Sequence, residues 1–166
     1  MVLARRAKRY GMQNSLRIVL EARRADIPLS LAFAMVEQES GNGANIWGGD
    51  PRPNGATTGL NNARVTKARY LLYRQSRGSH GQGGMQGVGP MQLTWWEFQD
   101  LADRLGGCHI PKYNLRVGFS HLKVLIAANG RRAGVKAYNG AGPDADNYTA
   151  HVNDVLARKW HARLRG

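Results

Sequence analysis

Apolar residues recur at helical spacing along most of this chain. Over residues 28–40, Leu31, Met35 and Glu39 fall at i, i+4 and i+8, with Ala32 and Val36 beside them, and Gly41-Asn42-Gly43 ends the run. That spacing predicts an amphipathic helix. The same period predicts a basic amphipathic helix over about 2–24, with Leu16, Val19 and Leu20 on one stripe. Further helices are expected over 63–77, where Val65, Tyr70, Leu72 and Tyr73 are available for packing, and over 114–129, 131–139 and 144–164. Thr94 has the character of an N-cap for a helix over 95–105, with Glu97 at N3 as its capping-box partner. Residues 41–62 and 78–90 are rich in Gly, Pro and Asn and read as loops. Period-2 alternation appears only around 85–93, where a short hairpin fits. The expected fold class is all-α, with long irregular loops and at most a small β-hairpin, in one domain over 1–166.

One residue breaks the apolar pattern. Glu39 lies on the buried stripe, whereas Glu37 sits roughly 200° around the helix. A carboxylate at a helix C-terminus faces the negative end of the dipole, and burial removes its hydration, so both effects raise its pKa. A carboxylic acid held protonated near neutrality is the proton donor that glycosidic-bond cleavage requires. The plainer alternative is a helix-terminal Glu that reaches water, as most charged residues at helix ends do.

Two further segments bear on that choice. Gly87-Val88-Gly89-Pro90-Met91-Gln92-Leu93-Thr94 and Ala137-Tyr138-Asn139-Gly140-Ala141-Gly142-Pro143 follow Glu39-Ser40-Gly41 in order. Together these motifs resemble the soluble lytic transglycosylase and goose-type lysozyme family, over roughly Pro28 to Val152. The sequence departs from the family pattern at Pro90, where an apolar residue such as Leu is usual, and in the small residues after Asn139. The resemblance implies a lysozyme-like fold and cleavage of peptidoglycan, with Glu39 donating a proton to the glycosidic oxygen and then acting as base. It implies that Ser40 orients substrate or water, the alternative being a polar residue that closes the helix. It also implies that Tyr138 lines the groove close to the acid. Gln92 offers both donor and acceptor to an acetamido group or ring hydroxyls, and Asn139 reads as a support for local backbone.

A second carboxylate decides the reaction type. An inverting hydrolase needs a base about 6.5–9.5 Å from the acid. Asp50, in Trp47-Gly48-Gly49-Asp50-Pro51, is the candidate; Trp47 is a candidate to stack on a sugar face, and Gly48, Gly49 and Gly55 leave space for water. Asp-Pro is equally a turn opener. With a base in place the product is a free reducing end. Without one, the muramyl 6-hydroxyl attacks and Glu39 alone gives 1,6-anhydro products, as a lytic transglycosylase.

Composition adds a partner and removes several chemistries. A net charge of +13 favours polyanions, whether nucleic acid or an anionic bacterial wall. Peptidoglycan glycan strands in such a wall are the expected partner of a monomer, with no specific nucleic acid. A purely basic, non-enzymatic binding module is the competing class. The lone Cys108 forms no internal disulfide and reads as structural. The five histidines lack metal-ligand spacing, and Gly78 to Gly89 lacks a P-loop ending, so neither metal nor cofactor is expected. The N-terminus has no signal-peptide core and no run spans a bilayer. The expectation is therefore a phage lysis enzyme made in the host cytoplasm, reaching the wall after holin-type release or as part of a virion.

Overall fold

The helix that carries Glu39 is apolar on every side through its middle. This computed structural model describes residues 1–50 and 59–165. In it α3 (Leu29–Ser40) buries every residue from Leu31 to Val36. A helix apolar all round is a core helix rather than an amphipathic one. Its neighbours are α2 (Ser15–Arg24), α9 (Ala157–Arg165) and a π-helical segment, His151–Leu156. Gly41, at φ +70, stops α3 in the left-handed conformation that glycine adopts without penalty.

The expected helix over 2–24 is two helices. Gly11 (φ +84) and Asn14 (φ +51) turn the chain between α1 (Val2–Arg9) and α2, and Met12 plugs the turn at 2% exposure. The stripe also differs. Leu16 and Leu20 are exposed, while Ile18, Val19 and Ala22 are buried. The buried Glu21 carboxylate rotates inward because Arg116 grips it with two bonds of 2.9 and 3.1 Å.

The second half is organised by α6 (Pro111–Asn129), which contacts α2, α5 (Trp96–Leu105) and α7 (Arg131–Asn139). α6 starts earlier than expected because Pro111 takes the first-turn position where its missing N–H costs nothing. α4 (Lys67–Arg77) is capped by Thr66 and so starts later than residue 63. Thr94 does not cap α5. Its hydroxyl donates to the Gln92 carbonyl, and Trp95 holds the N-cap position. α8 (Pro143–Ala150), the π segment and α9 run as one continuous helical stretch, as the sequence pattern over 144–164 predicts.

The described residues form no sheet, and the architecture is all-α. Residues 85–93 make no strand. Val88 and Leu93 exchange backbone hydrogen bonds of 3.3 and 3.1 Å around a tight turn, Gly89–Gln92, in which Gln92 takes φ +45. The expected loop over 41–62 runs partly through 51–58, Gly55 among them, which lie outside the described residues. No described helix is long and apolar enough to cross a membrane.

Gly118 of α6 lets this turn approach the helix. A Cβ there would lie 2.6 Å from Met91 Cβ and 2.7 Å from its Cγ. Helix propensity alone favours Gly118→Ala by about 1 kcal/mol. Overpacking costs about 1–3 kcal/mol and wins here, since the atoms struck lie close to the Met91 backbone. Urea denaturation of Gly118→Ala should show a loss of stability; a gain would mean that the turn yields freely.

Candidate active site

Three side chains from three helices hold the turn that follows Val88. Ser40, at the end of α3, donates to the Pro90 carbonyl at 3.0 Å. Asn114 of α6 accepts from the Met91 N–H at 2.9 Å and donates to the Val88 carbonyl at 2.6 Å. Tyr138 of α7 donates to the Met91 carbonyl at 2.9 Å. The three motifs, distant in sequence, therefore meet at one backbone loop. Ser40 is buried, and its hydroxyl is also within 3.0 Å of the Val36 carbonyl. Its place is in the scaffold, which corrects the expectation that it touches substrate or water.

Glu39 stands beside this turn, half-buried. Tyr148 of α8 donates its hydroxyl to Oε1 of Glu39. Burial pushes the Glu39 carboxyl up to about 7; the Tyr148 bond opposes that rise and the negative charge of Asp50 adds to it. The phenols of Tyr138 and Tyr148 are pushed far up, first by burial and then by the charge of Glu39, so both remain O–H donors. With Oε1 accepting from Tyr148, the carboxyl proton of Glu39 belongs on Oε2.

Asp50 belongs to a segment fixed on both sides. The Trp47 N–H donates to Ala63 and the Gly48 N–H to Gly87, at 3.0 and 2.8 Å. Gln86 donates its side-chain amide to the Gly48 carbonyl at 2.6 Å. Asp50 Oδ2 then accepts the Gly87 N–H at 2.7 Å. Gly48 and Gly87 are glycines for a local reason. A Cβ on Gly48 would lie 2.5 Å from Gln92 Oε1 and 2.6 Å from Asp50 Oδ2, and one on Gly87 would lie 2.5 and 3.0 Å from the same atoms. Two acceptor oxygens thus converge over a bare backbone strip. Gln92 reaches it with its Nε2 hydrogens already given to Ile46 and Gly89, at 3.2 and 2.8 Å. The donor capacity expected of Gln92 is spent on backbone, and Oε1 is what it offers.

Trp47 does not reach a groove. Its ring is fully buried, stacked on Tyr70 and set edge-on to Tyr73, with centroids at 6.4 and 5.0 Å. The expected sugar-stacking role is corrected: the backbone pairing on either side turns this side chain into the core. Of the two tryptophans after the Met-Gln motif, Trp95 is exposed and Trp96 packs against His80. Asn139 is exposed and lines a surface cavity next to Tyr148. Cys108 is buried and its thiol pushed up to about 12 by burial, while His109 stacks on Tyr70. Among the described residues no three His, Cys, Asp or Glu side chains group as metal ligands.

Sequence reasoning missed Tyr148. It lies 109 positions from Glu39 and outside all three motifs. The available signal was a phenol in the first two turns of the last helix, among otherwise small or polar residues. Comparison with protein-family models, curated proteins and solved structures finds no match to this chain.

The raised carboxyl has a thermodynamic signature. The folded state binds the Glu39 proton more tightly than the unfolded chain does, whose value is near 4.5. Stability contributed by protonation is present below 4.5 and is lost as pH rises through about 7. Glu39→Gln escapes that loss. Thermal or urea unfolding should show Glu39→Gln more stable than the parent at pH 8, by on the order of 1–3 kcal/mol, and equal to it at pH 4. A variant no more stable at pH 8 would show that this carboxylate is well solvated.

Proposed function

We propose that this chain is a peptidoglycan-cleaving glycosidase of lysozyme-like fold, hydrolysing the β-1,4 bond between N-acetylmuramic acid and N-acetylglucosamine. The observation that carries the reading is a carboxylic acid poised at about 7 within the electrostatic reach of a second, anchored carboxylate. Two carboxyl groups in unlike surroundings divide the acid and base roles. Glu39 here is partly buried against a phenol, and Asp50 accepts a backbone amide.

Protonated Glu39 gives its Oε2 proton to the glycosidic oxygen as the C–O bond breaks, which leaves an oxocarbenium-like sugar and a neutral leaving hydroxyl. Asp50 takes a proton from water as that water attacks the opposite face. Tyr148 steadies the Glu39 carboxylate formed in the step. Gln92 Oε1 accepts from an acetamido N–H or a ring hydroxyl. The net charge of +13 supports an anionic wall as the setting, reached after release of a phage lysis enzyme from the host cytoplasm or from a virion.

Turbidity loss of wall suspensions, with mass spectrometry of the released muropeptides, tests this. Glu39→Gln should fold and lose at least about 10²–10⁴-fold of the activity. Asp50→Asn should be nearly as inactive, and wild-type products should carry free reducing ends. Normal lysis by folded Glu39→Gln would remove the mechanism. Anhydro-muropeptides from an active Asp50→Asn would make the enzyme a lytic transglycosylase with Glu39 as sole acid and base.

Activity should also follow the acid's ionisation, falling about tenfold per pH unit above about 7. In Asp50→Asn, loss of the nearby negative charge should move the Glu39 titration, followed by carboxyl carbon NMR, to lower pH; an unmoved titration would place Asp50 too far away to act with it.

A further inference from the structure

Three surface cavities meet at Arg131, the first residue of α7. One, of about 540 Å³, combines Arg23, Lys123 and Arg131 with Ile27, Leu31 and Ile126. A second, of about 480 Å³, is bordered by Arg131, Arg132 and Lys136. The third, of about 440 Å³, is lined by Ser30, Arg131, Asn153, Arg158, His161 and Arg165, together with the Asp154 carboxylate. None of them includes Glu39, Asp50 or Gln92. Acidic partners occupy part of this belt: Lys123 pairs with Asp26, Arg132 with Asp154 and Lys136 with Asp146. Among the described residues Arg23, Arg131, Arg158 and Arg165 have no ion-pair partner. α7 starts at Gly130 without a side-chain cap, so its positive end adds to the same edge.

The third cavity holds a second, independent feature. Asn153 is 5% exposed and lines this cavity, yet neither Nδ2 nor Oδ1 has a hydrogen-bond partner. A buried amide unmatched on both atoms is costly to the fold. It calls for a ligand with an acceptor and a donor close together. A phosphate oxygen beside a hydroxyl supplies both, whereas a bare anion supplies only the acceptor. Bases are not provided for: no Phe, Tyr or Trp lines any of the three cavities, and single-stranded nucleic acid is held by aromatic stacking as well as charge.

We propose that the Arg131 edge and the cavity over Asn153 bind a polyol-phosphate chain, a phosphodiester polymer without bases of the kind that makes bacterial walls anionic. Successive phosphates take the free guanidinium groups of Arg131, Arg158 and Arg165, which suit phosphate geometry. One phosphate and its neighbouring hydroxyl match the Asn153 amide. The site is separate from Glu39 and stands whether or not that residue acts as an acid.

Calorimetric titration at fixed salt with purified poly(glycerol phosphate), inorganic phosphate and a charge-matched oligothymidylate tests the site without any activity readout. Wild type should prefer the polyol chain over both other ligands. Arg131→Gln with Arg158→Gln should weaken it about tenfold or more, and should lower the salt slope by about 1–2. Arg5→Gln with Arg9→Gln removes equal charge from exposed positions of α1, outside the three cavities, and should change affinity less than about twofold. Asn153→Leu removes the unmatched amide at similar volume, so it should keep or raise thermal stability while weakening the polyol chain and leaving inorganic phosphate unchanged. Equal losses from the two arginine pairs would reduce the effect to overall charge and overturn the site. So would oligothymidylate binding as tightly as the polyol chain, or Asn153→Leu binding the chain normally.

Discussion

The candidate site depends on how one six-residue turn is held. Val88 to Leu93 contains a left-handed glutamine and closes on itself with three backbone bonds, two between Val88 and Leu93 and one from Gln92 to Gly89. Its remaining polar groups would be stranded in the interior if Ser40, Asn114 and Tyr138 did not meet them. Buried backbone groups must be paired, so the three helices that carry these side chains can dock in only one register. That requirement places the end of α3, and with it Glu39, beside the face carrying Gln92. A single constraint of hydrogen-bond satisfaction thus gathers motifs separated by about a hundred residues. The residues that do the gathering are scaffold; those they bring together carry the proposed chemistry.

Two glutamates on one helix show how surroundings assign roles. Glu37 meets a cation and an indole: Lys159 at 2.7 Å, and the Trp160 Nε1–H. Among the described residues Glu39 hydrogen-bonds only with the neutral hydroxyl of Tyr148, and Asp50 adds a repulsive charge. A paired carboxylate is held in place, and an unpaired one in a poorly hydrated site holds its proton. The difference arises from which face of α3 meets α9 and which meets α8. It is set by the helical period and the packing around a helix buried through its middle.

The basic character of the chain divides in the same way. Some cations are consumed structurally, as when Arg77, 1% exposed, ties Gln99 and Asp100 to α4. Others stay unpaired at the surface, and those around Arg131 surround an amide that the fold leaves unmatched. Net charge alone gives attraction to polyanions, whereas a fixed arrangement of guanidinium groups gives selectivity among them.

The sequence by itself determined the helical class, most helix positions and the oddity of Glu39, because each is a matter of local period or of a single residue out of pattern. Helix 131–139 is read to the residue, and Gly41 stops α3 where its left-handed freedom predicts. The break inside the expected 2–24 helix was not legible, since Gly11 and Asn14 interrupt an otherwise continuous helical composition, whereas its end at Arg24 is where the pattern puts it. Nor was the fate of Trp47: exposure of an aromatic is decided by which side of a paired backbone faces the core. Thr94 failed as a cap because the helix starts one residue later, with Trp95 at the N-cap, and its hydroxyl donates to the Gln92 carbonyl instead. Tertiary structure alone supplied Tyr148 as the partner of Glu39, the spending of both Gln92 hydrogens, and the convergence of Asp50 and Gln92 over two bare glycines. Apart from the local bond of Gln92 to Gly89, these are contacts between residues tens of positions apart. They follow from the packing of whole helices, which no local pattern encodes.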